Sequence, residues 1–400
     1  MKQSCVPHNQ KSWFQKLLSG YAWVCNNTRL MVTFLLLYAL LIILMGWHTN
    51  QALCWLTGVR HLYGVPFLII GLLGMLTLIH EADHVWKYQW SNIPIGILSI
   101  FFIYYCMIDF LWWIIETTFC LTSEVSACGT LISAIASAAV VVMGYRNTKH
   151  IRTVSYRIPL GQGEKEFRIA LISDLHLGAF VGVDHIKRIV EAVNAIHPDL
   201  IVIAGDLIDD DHSILSEPNE LQQISCGFRQ LRSKYGTVLT LGNHDPDAAD
   251  PAFCAFLEKS NIQLLHNQIL ELRAVNIIGV SDPAQNKRVP IGNLVADRNP
   301  AKPTIVVDHD PRYMDTAVAQ NANLVLSGHT HGGIVCLPFI GGIITNEKEL
   351  FPKYDSGIFT VDHSTMISSS GLGDASVPRF HNPREVVCIT LHSFVPRSHS

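Results

Sequence analysis

"FRIALISDLH", residues 167–176, decides the fold. Its first seven positions are mostly apolar, too continuous for a strand with one wet face. Side chains alternate between the faces of a strand, so such a run reads as a strand buried on both sides. The chemistry then changes within three residues, to Asp174 and His176. In open α/β sheets, ligands bind just beyond the carboxyl ends of the strands. The question is whether this junction recurs.

It recurs along the next 150 residues. "DLIVIAG" (199–205), "TVLTLGN" (237–243), "VNIIGV" (275–280), "TIVVDH" (304–309) and "ANLVLSG" (322–328) are further strand-length apolar runs. Between the early ones, "VDHIKRIVEAVNAI" (183–196) and "ELQQISCGFRQLRSKY" (220–235) carry apolar residues at helical period. Toward the end, "GIFTV", "TMISSS" and "EVVCITLHSF" read as strands without helices between them. The layout is an α/β core with a second, more mixed sheet.

The polar residues fall at the ends of these runs. They are Asp174 and His176; Asp206, with Asp209 behind it; Asn243, His244 and Asp245; His309; and His329 and His331. Each has a bland reading taken singly, as a helix cap or turn residue. Independent turns would not all choose metal-ligand types, so the set is read together. Imidazole, carboxylate and amide without thiolate suit Mn, Fe or Zn and exclude a structural cysteine site. Counted as four histidines, two aspartates and one amide, seven candidate ligands exceed what one ion with an open position can use. They fit two divalent ions sharing one aspartate. Two ions about 3.5–4 Å apart are a standard device for in-line displacement at phosphorus. In "NLVLSGHTHGG" (323–333), histidines at i and i+2 would share one strand face. Serving two ions instead requires the chain to bend, and the flanking glycines are expected to allow it.

The first 150 residues have a different character. Overall the chain is 49 % apolar and 16 % charged, with net charge −4, so no basic surface points to nucleic acid. The apolar excess lies in four runs: Leu30–Gly46, Leu62–Ile79, Ile93–Ile115 and Val125–Tyr145. With modest extension each can cross a bilayer. Asp109, well inside the third run, is expected to face the bundle. Lys2, Lys11, Lys16 and Arg29 precede the first run, and Arg146, Lys149, Arg152 and Arg157 follow the fourth. Both ends are therefore expected in the cytoplasm. The reading is a multi-pass protein of the inner (cell) membrane, with domains 1–149 and 150–400 and the second domain cytoplasmic.

Two features of this part offer other chemistry. "HEADH" (80–84) matches the H-E-x-x-H pattern of zinc proteases, which makes a membrane protease the rival class. A wet interfacial turn, or contacts from His80, Glu81 and His84 to a substrate head group, are the other readings. A non-catalytic membrane scaffold is a third class, opposed by retention of every candidate ligand. The ten cysteines form no C-x-x-C pair. Cys120 and Cys128, on or near the outer loop, are the pair that could form a disulfide.

"DLH" (174–176), "GDLID" (205–209), "GNHD" (242–245), His309 and "GHTHGG" (328–333) together resemble the calcineurin-like metallophosphoesterases, over about residues 165–392. The bacterial membrane-associated branch is most similar, through "GLGDASVPRFHNPREV" (371–386). Ile334 stands where that branch has glutamine, and His309 sits in "VDHDP" rather than an apolar-His-x-Pro context. The resemblance implies a four-layer α/β/β/α sandwich preceded by about four transmembrane helices. It implies that Asp174, His176 and His331 hold one ion, that Asn243, His309 and His329 hold the other, and that Asp206 bridges them. His244 would protonate the leaving oxygen, with Asp209 orienting its imidazole, and Arg379 would meet substrate phosphate. Asp210 and Asp211 read as a solvated acidic turn. The expected activity is metal-dependent hydrolysis of a phosphodiester or pyrophosphate bond. The bilayer suggests a lipid-linked substrate. Nothing in the sequence fixes an oligomeric state.

Overall fold

A computed structural model of the protein describes residues 28–59, 94–160, 166–178, 181–209, 212–285, 288–333, 335–337, 341–345, 349, 351–373, 379 and 382–392. The chain forms two units, Met1–Arg146 with Ser376–Phe380, and Asn147–Ala375 with His381–Ser400.

Among its described residues the first unit contains three long helices, α1 (Thr28–Thr57), α2 (Pro94–Phe119) and α3 (Ser123–Asn147). Each includes a stretch long and apolar enough to cross a membrane: Ala39–Thr57, Phe101–Phe119 and Ser123–Asn147. Large apolar side chains such as Leu36, Trp47, Phe119 and Ile132 point outward from them. Nearly every exposed large apolar residue among those described lies in this unit, Ile358 being the exception. A continuous surface of that kind marks contact with lipid or a partner. Inside, Ile42 and Met45 of α1 pack on Phe102 and Cys106 of α2. Asp109 is fully buried. Three of the four expected spans thus correspond to helices. The run 62–79 and "HEADH" (80–84) lie outside the described residues. Cys120 and Cys128 are both exposed free thiols, so the disulfide considered for them is not formed.

The second unit is built on two six-stranded sheets. The first contains β1 (Ile151–Pro159), β2 (Glu166–Ile172), β3 (Leu200–Ala204), β4 (Thr237–Thr240), β5 (Ile262–Leu264) and, at the far end of the chain, β14 (Arg384–His392). Its order is β1-β14-β2-β3-β4-β5, with β2 to β5 parallel and β14 antiparallel to β2. The second contains β6 (Gln268–Glu271), β7 (Asn276–Val280), β8 (Thr304–Asp308), β9 (Leu324–Ser327), β12 (Gly357–Val361) and β13 (Ser364–Ser368), in the order β12-β13-β9-β8-β7-β6. A short hairpin, β10 (Val335–Leu337) with β11 (Gly341–Ile344), stands apart.

The apolar runs become strands because both faces have somewhere to go. Ile169 and Leu171 of β2, and Val202 of β3, share one core with Ile277, Ile305, Val307, Leu324 and Leu326 of the second sheet. Their neighbours Ala170, Ile172, Ile201 and Ile203 turn the other way. There they pack with Ile186 and Ile189 of α4 (Val183–Asn194), Ile224 and Phe228 of α5 (Pro218–Phe228), and Phe253 and Phe256 of α6 (Pro251–Ser260). Val306 and Val325 of the second sheet join Ile291 of α7 (Ile291–Ala296) and Met314 and Ala317 of α8 (Met314–Ala319). The parallel strands of both sheets then present their carboxyl ends to shared loops.

β1 is not among the expected strands. Its sequence, IRTVSYRIP, is mostly exposed or half-buried, and it is held by parallel pairing with β14 along nine positions. That pairing depends on a partner more than 230 residues away, which local pattern cannot supply.

Leu326 is fully buried where the sheets meet. Leu326→Ala is expected to destabilise the protein by about 2–5 kcal/mol, read as a lowered midpoint of urea unfolding.

Candidate metal centre

The loops after β2, β3, β4, β8 and β9 carry the residues in question, and their backbone is unusual. Asp174, His176, Asp206, His329 and His331 all have left-handed backbone, with φ of 50°, 48°, 52°, 70° and 50°. A side chain with a Cβ avoids this region, and residues held there cluster at functional sites. Each bend sends the chain sharply off the strand direction. It is fixed by backbone bonds between loops: Asp174 N–H donates to Gly205 O at 3.1 Å, and His176 N–H to Asp206 O at 3.1 Å. The bend expected of the glycines in "GHTHGG" therefore falls on the histidines as well as on Gly332 and Gly333, at 68° and 85°. Gly328 serves differently: a Cβ there would meet the carboxylate of Asp174 and the side chain of Ser173.

The side chains gather into two main groups. Asp174, His176 and His331 form one, and Asp206, His309 and His329 the other, with potential ligand atoms within 4.8 Å of each other in each group. In the first, His176 Nε2 lies 3.2 Å from His331 Nε2, and His331 Nε2 lies 3.6 Å from Asp174 Oδ1. In the second, His309 Nε2 lies 3.0 Å from Asp206 Oδ2, and His329 Nδ1 lies 2.9 Å from Asn243 Oδ1. Asp206 Oδ2 is also 3.8 Å from His176 Nε2, so its carboxylate stands between the groups. His329 and His331 thus separate, one to each group.

The donors fit cations. Two imidazole nitrogens facing each other can share at most one proton, whereas a cation satisfies both lone pairs. Asp174 Oδ2 is buried and receives no hydrogen bond among the described residues. His309 donates its Nδ1–H to Ala204 O at 2.7 Å, which leaves the Nε2 lone pair to face the cluster. The two carboxylates also brace the loops: Asp174 Oδ1 accepts from His329 N–H at 2.9 Å and Asp206 Oδ1 from His244 N–H at 3.0 Å. Burial alone would raise the pKa of Asp206, but the imidazole of His309, with those of His244 and His176, holds it well below the usual range. Burial likewise works against charge on His309, and the carboxylates of Asp206 and Asp174 override it and raise its pKa.

His244 Nε2 is 3.9 Å from Asp206 Oδ2, and the side chain is 28 % exposed, at the open side of the cluster. His212 Nε2–H donates to the His244 carbonyl at 2.9 Å. Asp209 was expected to orient His244. Its Oδ1 lies 3.3 Å from His176 Nδ1, and Asp209, His176 and His244 form a third group within 4.8 Å, so its carboxylate stands beside both imidazoles. Arg379 is buried in the segment Ser376–Phe380, which belongs with the first unit. Asp210, Asp211 and Ile334 lie outside the described residues.

Sequence reading gave no role to Asp245. Its carboxylate is buried and accepts four backbone N–H bonds: Oδ2 from Asp206 and Gly242 at 2.9 and 2.8 Å, Oδ1 from Leu207 and Ile208 at 2.8 and 3.0 Å. It thereby ties the loop after β3 to the loop after β4. Burial, then the charge of Asp206, push its pKa up to about 6 against those bonds. The signal was its place beside Asn243 and His244. The acids flanking His309 are also explained. Asp308 is held by Arg288 at 2.6 and 3.1 Å, and Arg288 stacks on Tyr313 at 4.1 Å. Asp310 pairs with Arg312 at 2.6 Å. Neither acid is spent on the cluster.

A family model described as "Calcineurin-like phosphoesterase" matches residues 167–333, the span that holds all seven ligand candidates. Residues 167–333 are a calcineurin-like phosphoesterase domain. The chain is 31 % identical over 241 residues to a metallophosphoesterase of Helicobacter pylori, covering 58 % of this chain and 62 % of that one. It is 28 % identical over 284 residues to the Danio rerio protein called "Transmembrane protein with metallophosphoesterase domain", covering 66 % and 62 %. It is 26 % identical over 284 residues to the metallophosphoesterase YkuE of Bacillus subtilis, covering 66 % and 95 %. The chain therefore spans somewhat under two thirds of the first two relatives. The domain is that of a metal-dependent phosphoesterase, a hydrolase of phosphoric ester bonds.

Two substitutions test the frame without removing a ligand. Asn at position 245 would set amide hydrogens against backbone N–H groups. Asp245→Asn is therefore expected to cost about 2 kcal/mol or more and to lower bound metal, read by urea unfolding and elemental analysis. Gly328→Val is expected to lower metal content by displacing Asp174, and unchanged content would contradict the packing described.

Proposed function

We propose that the protein is a membrane-anchored, two-metal phosphoesterase that hydrolyses a phosphodiester or pyrophosphate bond. The carrying observation is the convergence of Asp174, His176, Asn243, His309, His329 and His331 around Asp206 at the strand ends of both sheets. Asp174, His176 and His331 would hold one divalent ion, Asn243, His309 and His329 the other, and Asp206 both. When bound, such a pair supplies a water acidified for attack on phosphorus and neutralises charge on the phosphoryl oxygens. Mn, Fe or Zn suits the donor set.

The chain's own residues do the rest. His244, on the open side, hands a proton to the leaving oxygen. His212 holds the backbone that carries it. Asp209 orients the His244 imidazole and braces the His176 ring, and Asp245 keeps the two loops in register. Arg379 is a candidate for substrate phosphate. The reading of the whole is a four-layer α/β/β/α sandwich over residues 150–400, supported by the three core clusters, behind a membrane domain over residues 1–149. A multi-pass inner-membrane protein with about four spans and a cytoplasmic catalytic domain favours a lipid-linked substrate.

The test is hydrolysis of bis-p-nitrophenyl phosphate, p-nitrophenyl phosphate and a panel of lipid pyrophosphates by the purified full chain with Mn²⁺. Asp174→Asn is expected to lose both metal and activity. His244→Gln is expected to lower kcat by about 10²–10⁴-fold with metal content retained. Glu81→Gln in "HEADH" should leave the activity unchanged. Activity that survives Asp174→Asn, or dies with Glu81→Gln, would contradict the assignment.

A further inference from the structure

In the first unit, His48 of α1 stands between two acids of α2. Its Nδ1 lies 2.9 Å from Asp109 Oδ2 and its Nε2 lies 2.8 Å from Glu116 Oε2. Seven residues separate the acids, two helical turns, so both face the same way. Ser126 Oγ of α3 is 3.5 Å from His48 Nε2. Asp109 is fully buried and the His48 side chain is 4 % exposed, while Glu116 is 21 % exposed. Tyr105 and Cys106 are the other titratable groups against Asp109, and the Tyr105 hydroxyl also meets Thr49 Oγ1 at 2.9 Å. The arginines of the three helices, Arg29 and Arg146, stand at the opposite ends of their helices from this cluster, roughly 30 Å away along the axis at 1.5 Å per residue.

The geometry demands a shared proton. A neutral imidazole has one N–H and one lone pair. Placed between two carboxylates, it sets that lone pair against an anionic oxygen. One proton removes the conflict, either as imidazolium or on one of the acids. The burial of Asp109 sets where it rests: the residue is fully enclosed, and its Oδ1 meets no well-formed hydrogen bond among the described residues. An ionised carboxylate with a bare buried oxygen is far costlier than a neutral one. Glu116, on the wetter side, tolerates the charge. Ionisable groups enclosed by membrane-spanning helices are otherwise rare and commonly mark proton or ion sites.

We propose that Glu116, His48 and Asp109 form a proton-binding relay in the membrane unit, loaded through Glu116 and held on Asp109. In the transfer, the Glu116 carboxyl gives its proton to His48 Nε2 while Nδ1 gives its proton to Asp109 Oδ2. The ring begins and ends neutral, and one proton has moved from Glu116 to Asp109. This inference is independent of the phosphoesterase reading, since none of its residues belongs to that domain.

Infrared difference spectroscopy of the full chain in phosphatidylglycerol nanodiscs tests it. The wild type is expected to show a protonated-carboxyl C=O band that shifts on 4-¹³C-aspartate labelling and is lost in Asp109→Asn. Bands from aspartates of the second unit stay in that variant. Glu116→Gln and His48→Gln are each expected to keep the Asp109 band and slow its deuterium exchange. These two variants also carry the test should Asp109→Asn not fold. Absence of any band that Asp109→Asn removes would make the cluster a fixed ion pair and overturn the proposal. Loss of the band on adding K⁺ or Zn²⁺ at constant pH would make it a cation site and overturn it too. Exchange unchanged in both relay variants would exclude the route.

Discussion

The carboxylate of Asp206 is the point on which the second unit depends. It lies 1 % exposed, with His309 at 3.0 Å and His176 and His244 just under 4 Å. A buried carboxylate is tolerated only when paired and hydrogen-bonded. The pairing draws one histidine from the second sheet and two residues from the first, so the charge joins the strand ends of both. Its own position is then imposed from below, by the left-handed bend at residue 206 and the grip of Asp245 on its N–H. Without Asp245, the bend has no reason to persist. Without the bend, Asp206 points along its strand and the two groups of ligands lose their common member.

Much of this was legible in the sequence, and the reasons are specific. Ile169 to Ile172 and Leu200 to Ala204 are apolar on both faces because helices cover one face and the other sheet the opposite one. That double burial removes the alternation and writes the α/β class into the chain. The ligand candidates were visible because they sit at the ends of such runs. What pattern could not give is backbone conformation. "GHTHGG" suggested that glycine does the bending, yet His329 and His331 bend too, held by the loops they contact. Asp245 was hidden for a related reason: its role is to accept four N–H groups from two loops, and only folding brings those loops together. Asp209 lies with both His176 and His244, and its 3.3 Å contact with His176 depends on where the first loop turns.

The first unit shows the same limit from the other side. Apolar runs announced its helices, and Asp109 stood out as an acid within one. His48 did not, since a histidine near the end of an apolar run has many uses. Its meaning comes from a neighbour on another helix, two turns of which it bridges. Side-chain chemistry that spans elements is the part of function that sequence reading reaches last.

In the proposed centre one carboxylate, that of Asp206, joins two ions. Electron paramagnetic resonance of the protein loaded with Mn²⁺ tests it most directly, because ions bridged by one ligand are magnetically coupled. The native chain is expected to give the broad, temperature-dependent spectrum of an exchange-coupled pair, replaced by uncoupled signals in Asp206→Ala. A spectrum of isolated Mn²⁺ at full loading of the native chain, unaltered by that substitution, would contradict it.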